Sequence, residues 1–323
     1  MPLYRISGMI VMSEVLLPGA WPVESGEPDV TMRRGRVAAA LANPLAATRC
    51  WEADENHFLL RANGIGRFLI SHGREVIFEP EDGVPVSDCA AYLQGRAIGM
   101  LLNQRGGIVM HASAVAVDGM ALLFCGISGA GKSTLAAALS MRGYGMISDD
   151  VCLITFDSDR CPTVRPDARQ LKLADTAIEA LELNAHRGEP VLGNAEKTYV
   201  RPQACWNGAD LPLGAIYVLR PGFQGVDLIR SLGRVAALRK LQRHAYRPGM
   251  IRRTGMSARY FAASAQIVEH ARVYLIERER DLSRLTRTVA MLENHWRRME
   301  LGRSNESRSA LEQDDFRSSR PEI

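Results

Sequence analysis

The chain has 323 residues, 46% of them hydrophobic and 24% charged, with a formal net charge of +4. That is ordinary globular usage, enough for two domains or for one domain with a large appendage. So small a charge does not imply nucleic-acid binding. No apolar run approaches the roughly 18 residues that span a bilayer. Neither a nucleic acid nor a membrane is therefore an expected partner.

The opening segment MPLYRISGMIVMSEVLLPGAW is apolar but is interrupted by Glu14 and lacks a basic leader, so it reads as a strand pair and not a signal peptide. Residues 1–86 form a β-rich N-terminal domain on this reading, with short alternating runs punctuated by Gly64, Gly66, Gly73 and Gly83. Ser87 can cap a helix running to about Asn103. GIVMHASAVAV and MALLFCGI follow as two strands joined at Asp118-Gly119, a tight-turn signal. A helix is expected from Lys132 to about Arg142, ended by Gly143. YGMISDDVCLITF is a strand region, LADTAIEALEL a short amphipathic helix and GAIYVL a core strand. Helices near 232–246 and 257–270, the strand VYLIE and a helix from Asp281 to Arg298 complete a domain spanning 87–300. Residues 301–323 are polar and serine-rich, and are expected to be a disordered tail.

The cysteines, Cys50, Cys89, Cys125, Cys152, Cys161 and Cys205, form no CxxC pair and no cluster with histidine at zinc spacing. Reduced thiols and a cytoplasmic location are the expectation.

One motif carries chemistry by itself. Gly126-Ile-Ser-Gly-Ala-Gly-Lys-Ser133 fits GxxxxGK[ST]. Small residues let successive backbone N–H groups turn inward around a phosphate, Lys132 reaches the outer phosphates, and the Ser133 hydroxyl ligates Mg²⁺. The motif follows a predicted strand and opens a predicted helix, as that mechanism requires. Gly126, Ser128, Gly129, Ala130, Gly131, Lys132, Ser133 and Thr134 are the candidate ATP-binding residues. Asp149 and Asp150 come next, at the start of an apolar run. Adjacent residues of a strand point to opposite faces, so the two carboxylates can hold different roles. His111, on the strand before the Asp118-Gly119 turn, is returned by the hairpin toward the loop.

Taken together, HASAVAVDGMALLFCGISGAGKSTLAAALSMRGYGMISDDVCLI resembles the catalytic core of the HPr kinase/phosphorylase superfamily. The H-x-S strand, the D-G turn, the GxSGxGKS loop, the R-G-Y helix end and the Asp-Asp pair carry that likeness. It implies an α/β fold, a P-loop core of HPr-kinase type with a mixed β-sheet. It implies ATP and Mg²⁺ as cofactors, with Lys132 and Ser133 at the phosphates and metal. Asp149 would be the general base, Asp150 a metal ligand, and His111 a residue of the phosphate site. The family's assembly makes a homo-oligomer an expectation.

The family's E-x-R-G-x-G-I segment is missing; the region reads RPDARQLKLADTAIEALEL and then GNAEKTYVRP. The pattern is closer to a divergent branch that phosphorylates lasso-peptide precursors, similar in its PxxRxLxL and E-K-x-Y segments. Arg169 and Lys197 become candidate substrate contacts. The expected function is ATP-dependent phosphorylation of a peptide serine. Phosphorylation of HPr or another carrier protein, and a nucleotide-sensing module with little turnover, are the alternatives.

Between Asp227 and Glu269 the chain has no carboxylate but carries Arg230, Arg234, Arg239, Lys240, Arg243, Arg247, Arg252, Arg253 and Arg259. Such a stretch suits a solvated face or a dock for an acidic partner. Arg252 and Arg253, beside Gly249 and Gly255, suit a flap over the site.

Overall fold

A computed structural model describes residues 1–167, 170–191, 196–221, 227–279 and 281–299. The first eighty residues build a nine-stranded mixed sheet. Its outer members pair antiparallel, while Val30–Arg34 runs parallel to both Met9–Ser13 and Glu75–Pro80. Alternation along the strands decides which face is buried. In Met9–Ser13 the residues Met9, Val11 and Ser13 turn inward, and the intervening ones are half-exposed.

A second mixed sheet is organised around Leu211–Pro221. This strand runs parallel to Met120–Cys125 on one side and to Arg272–Arg278 on the other. Period-two alternation here serves two cores. Ala121, Leu123 and Cys125 face one apolar cluster, while Leu122 and Phe124 face the other. The first cluster is continuous with the buried face of the N-terminal sheet, including Phe68 and Phe78, and with the helices Arg234–His244 and Ser257–His270. The second lies under the helices Lys132–Met141 and Leu285–Met299. Each fully buried Phe or Leu in these cores contributes on the order of 1.5–3 kcal/mol. The Trp296 indole N–H reaches the Tyr217 hydroxyl at 3.0 Å and so brings its polar edge into the second core without an orphaned donor.

Three expectations need correction or refinement. The helix over 87–103 is present but changes type along its length: a 3₁₀ turn and a short helix lead into a π-type turn, Leu93–Ala97, before Ile98–Gln104. Gly99 in that last segment lies against the Tyr246 ring, where any Cβ would overlap it. The stretch LADTAIEALEL is not one helix. Leu171–Ala174 is a strand and only Asp175–Ala180 is helical. That strand joins Lys197–Val200 and Arg187–Pro190 in a small sheet absent from the sequence reading. Finally, the strand predicted through His111 is broken there. Ile108–Met110 pairs with Cys152–Phe156, whereas Ala112–Val117 pairs with Met120–Cys125 and Met146–Asp149. His111 is the hinge between two pairings. The hairpin turn itself is as expected, with Asp118 at φ 48° and Gly119 at φ 75°.

Among the described residues no helix is long and apolar enough to cross a membrane, and all six cysteines are free.

Candidate phosphate-binding and phosphoryl-transfer site

The loop between the strand Met120–Cys125 and the helix Lys132–Met141 curls back on itself. Gly129 and Gly131 adopt φ of 75° and 87°, left-handed values that glycine holds at least cost. A Cβ at Gly131 would also meet Nη2 of Arg278 and displace that guanidinium from the loop. Ser128 through Thr134 line a cavity of about 580 Å³. Gly126 does not line it; it lines a second cavity of about 300 Å³.

Lys132 is only 7% exposed. Its ammonium donates to the carbonyl of Gly126 at 3.0 Å and meets Nε2 of His111 at 3.1 Å. Burial pulls its pKa down, and the nearby Asp149 carboxylate opposes that. An ammonium has only protons to offer, so Nε2 of His111 accepts and Nδ1 carries the ring proton. Nδ1 lies 3.0 Å from a carboxylate oxygen of Asp150. The backbone N–H of His111 donates to the carbonyl of His244 at 2.9 Å, which fixes the hinge.

The two carboxylates reach one cavity, but not by strand alternation. Asp149 ends the strand Met146–Asp149. Asp150 has left it, with φ of 71°, and this turn swings its side chain to the same side. Asp149 accepts from Ser133 Oγ at 2.9 Å, from Ser113 Oγ at 2.6 Å and from the backbone N–H of Lys172 at 3.3 Å. Asp150 accepts from Lys172 Nζ at 3.0 Å. Burial opposes its ionisation, but the His111 hydrogen bond and the Lys172 ammonium hold the carboxyl far below the usual carboxylate range. Burial likewise works against the charge on Lys172, and Asp150 more than offsets it, so the Lys172 pKa is raised.

Lys197 also lines the larger cavity. Arg252 and Arg253 line neither cavity. They occupy the outer side of the short helix Pro248–Arg253, whose Met250 and Ile251 are buried. The flap expectation does not match this: the helix is anchored by that apolar pair. Arg169 lies outside the described residues.

The sequence reading missed Arg278, which ends the strand Arg272–Arg278 and is 6% exposed. Nη2 donates to the carbonyl of Ala130 at 3.0 Å, inside the loop. Its Nε is buried without a hydrogen-bond partner, and burial lowers its pKa. A buried guanidinium with spare donors beside a phosphate-type loop suits an anion. Lys172, one of four lysines in the chain, carried a signal in its rarity. Nothing local marked Arg278.

A bound Mg²⁺ usually takes one or two protein oxygens and fills its shell with phosphate and water. The Ser133–Asp149 pair fits that donor set. No group of three or more metal-ligating side chains occurs among the described residues.

No family model matches the sequence. No curated protein matches it either. Among solved structures, the HPr(Ser) kinase/phosphatase from Coxiella burnetii aligns over 59% of this chain and 92% of its own, with 15% identity and a TM-score of 0.32. At that level the likeness carries no argument about activity.

Proposed function

We propose that this chain is an ATP-dependent kinase that phosphorylates a serine hydroxyl on a peptide, a precursor of the lasso type on the sequence resemblance. The observation that carries the reading is the hydrogen bond from Ser133 Oγ to Asp149 at 2.9 Å, at the head of a helix opened by a glycine-rich loop. It joins the two oxygens that a nucleotide-bound Mg²⁺ would need. The peptide reading draws further support from the small sheet. Parts of the two segments similar to the lasso-precursor branch lie there in the neighbouring strands Leu171–Ala174 and Lys197–Val200, Ala174 opposite Lys197, at the wall of the cavity.

When bound, Mg²⁺ would neutralise charge on the phosphates. Lys132 would leave its carbonyl partner for the outer phosphates, and Arg278 would add its free donors from below the loop. Lys132's departure would free Nε2 of His111. We therefore depart from the roles implied by the resemblance and pass the base role to His111. Asp149 belongs to the metal side because Ser133 rests on it. Asp150 orients His111, whose Nε2 takes the serine proton as the new O–P bond forms and the bond to the ADP oxygen breaks. Phosphoryl transfer asks mainly for positioning and charge neutralisation, and a carboxylate-oriented imidazole meets the remaining need.

The test is incubation of the full chain and a serine peptide with Mg-ATP, read by mass spectrometry. Lys132→Ala should lower phosphopeptide formation by about 10²–10³-fold. Asp149→Asn should raise the Mg²⁺ concentration needed for half-maximal rate. His111→Gln should lower kcat and leave that requirement alone. Undiminished phosphorylation by Lys132→Ala would sink the kinase reading, and an unchanged Mg²⁺ requirement in Asp149→Asn would sink the role assignment.

A further inference from the structure

The second cavity, of about 300 Å³, adjoins the larger one at His111. His111, Asp150, Tyr246 and Arg247 line both. The two therefore meet at the pair that is placed above on the acceptor side. The backbone explains the placement. His244–Tyr246 runs beside Val109–His111, with Tyr246 N–H on the Val109 carbonyl at 2.8 Å and a bridge between Met110 and Ala245. The residues flanking that bridge, Arg243 and Arg247, are carried to the mouth of the cavity.

Both arginines are exposed, and neither has a carboxylate at ion-pairing distance among the described residues. Among the described residues the only acid at this cavity is Asp150, already engaged by His111 and Lys172. Arg239 and Arg243 sit one helical turn apart on the exposed face of Arg234–His244. Like charges at that spacing oppose helix formation when nothing compensates them. Arg247 follows four residues later, in a left-handed conformation at φ 53° that costs a non-glycine residue energy. The row thus leads from open surface into the cavity. The opposite wall is apolar at its tip, where Ile127 is 54% exposed. Three cations in succession along the chain, two of them lining the cavity, suit several carboxylates on one segment.

We infer that the second cavity is the acceptor subsite and that its occupant is an acidic polypeptide segment, carboxylates beside the serine pairing with Arg243 and Arg247. This rests on the kinase reading. Arginine suits the task because its planar fork takes a carboxylate in bidentate fashion. In the reaction the segment supplies the serine oxygen that bonds to phosphorus; ADP leaves and the proton passes to His111.

Fluorescein-labelled heptapeptides with a central serine flanked by Asp, Asn or Lys test this, by anisotropy with the full chain and a non-hydrolysable Mg-ATP analogue. The Asp peptide should bind about tenfold or more tightly than the Asn peptide, with the advantage shrinking as salt rises. Arg243→Glu should reverse the order in favour of the Lys peptide, an outcome that misfolding cannot imitate. Equal binding of Asp and Asn peptides, no binding of either, or an acid preference retained in Arg243→Glu would overturn the inference. Mg-ADP affinity of the unmodified chain is measured alongside by calorimetry. Tight Mg-ADP binding without acid preference removes the acceptor inference alone. No Mg-ADP binding removes the kinase reading and this inference with it.

Discussion

Charge is handled in opposite ways in the N-terminal sheet and at the glycine-rich loop. In the sheet, carboxylates pair across neighbouring strands. Arg33 meets Glu75 at 2.8 Å, and Arg67 meets Glu79 at 2.8 Å. These pairs are partly exposed and local to the ladder; Arg67 lies directly opposite Glu79, and Arg33 reaches Glu75 diagonally. At the loop, Lys132, Arg278, His244 and Asp150 are drawn in from separated parts of the chain. Lys132 and Arg278 each donate to a backbone carbonyl of the loop itself. Pairs of the first kind are nearly neutral to stability. Groups of the second kind carry a desolvation cost, and they persist in a fold when something else uses them.

Acid should expose the contrast most strongly. His244 is buried, and burial together with the Lys240 and Lys132 charges pushes its pKa down to about 4. A group depressed in the folded state contributes stability above its unfolded pKa, near 6.5, and loses it as pH falls toward 4. The loss over that window should be on the order of 2–4 kcal/mol. Asp150, also depressed, adds to it below about pH 3.8. Urea melts at stepped pH check this. A His244→Gln variant should show a flatter profile between pH 6.5 and 4, and a profile as steep as the parent's would break the comparison.

The next largest effect should come from Arg278. Arg278→Ala should weaken Mg-ADP binding by about 10–100-fold, equivalent to roughly 1.4–2.7 kcal/mol. Its melting temperature should not fall, because a desolvated cation leaves with it. Arg278→Lys should restore little, since one ammonium cannot replace a fork. Calorimetry and thermal melts separate binding from stability here; unchanged ADP affinity would make Arg278 a packing residue. The smallest effect belongs to the sheet. Arg67→Ala should cost about 0–1 kcal/mol in urea unfolding. A loss of several kcal/mol would show that the sheet pairs are not the bland partners they are taken to be.

Legibility in the sequence followed the range of the interactions. The helix Ser257–His270 agrees with the sequence expectation at both ends. Its apolar spacing and its limits are local properties. The Asp118-Gly119 turn was equally readable, because two left-handed residues in a row demand that chemistry. The glycine-rich loop announced both its strand and its helix. The small sheet through Leu171–Ala174 was not readable. Its partner strand begins at Lys197, and a four-residue run carries too little periodicity to declare itself against a helix. His111 illustrates the same limit. Its residue type and position invited a functional reading, but only the divergent pairing on either side of it makes it a hinge.

Local sequence alone placed a glycine-rich turn between a buried strand and a helix. Glycines at fixed spacing and a lysine-serine pair allow little else. It also determined that two carboxylates and a histidine would be available nearby. The tertiary structure decided how they are shared. Asp150 turns out of its strand and faces Asp149's cavity, and Ser133 rests on Asp149. The ends of two distant segments bring Arg278 beneath the loop and Arg243 and Arg247 to its far side. The physical reason is that backbone conformation and periodicity act between neighbours in sequence. Which charge meets which is settled by sheet order and by the burial that brings remote strands together.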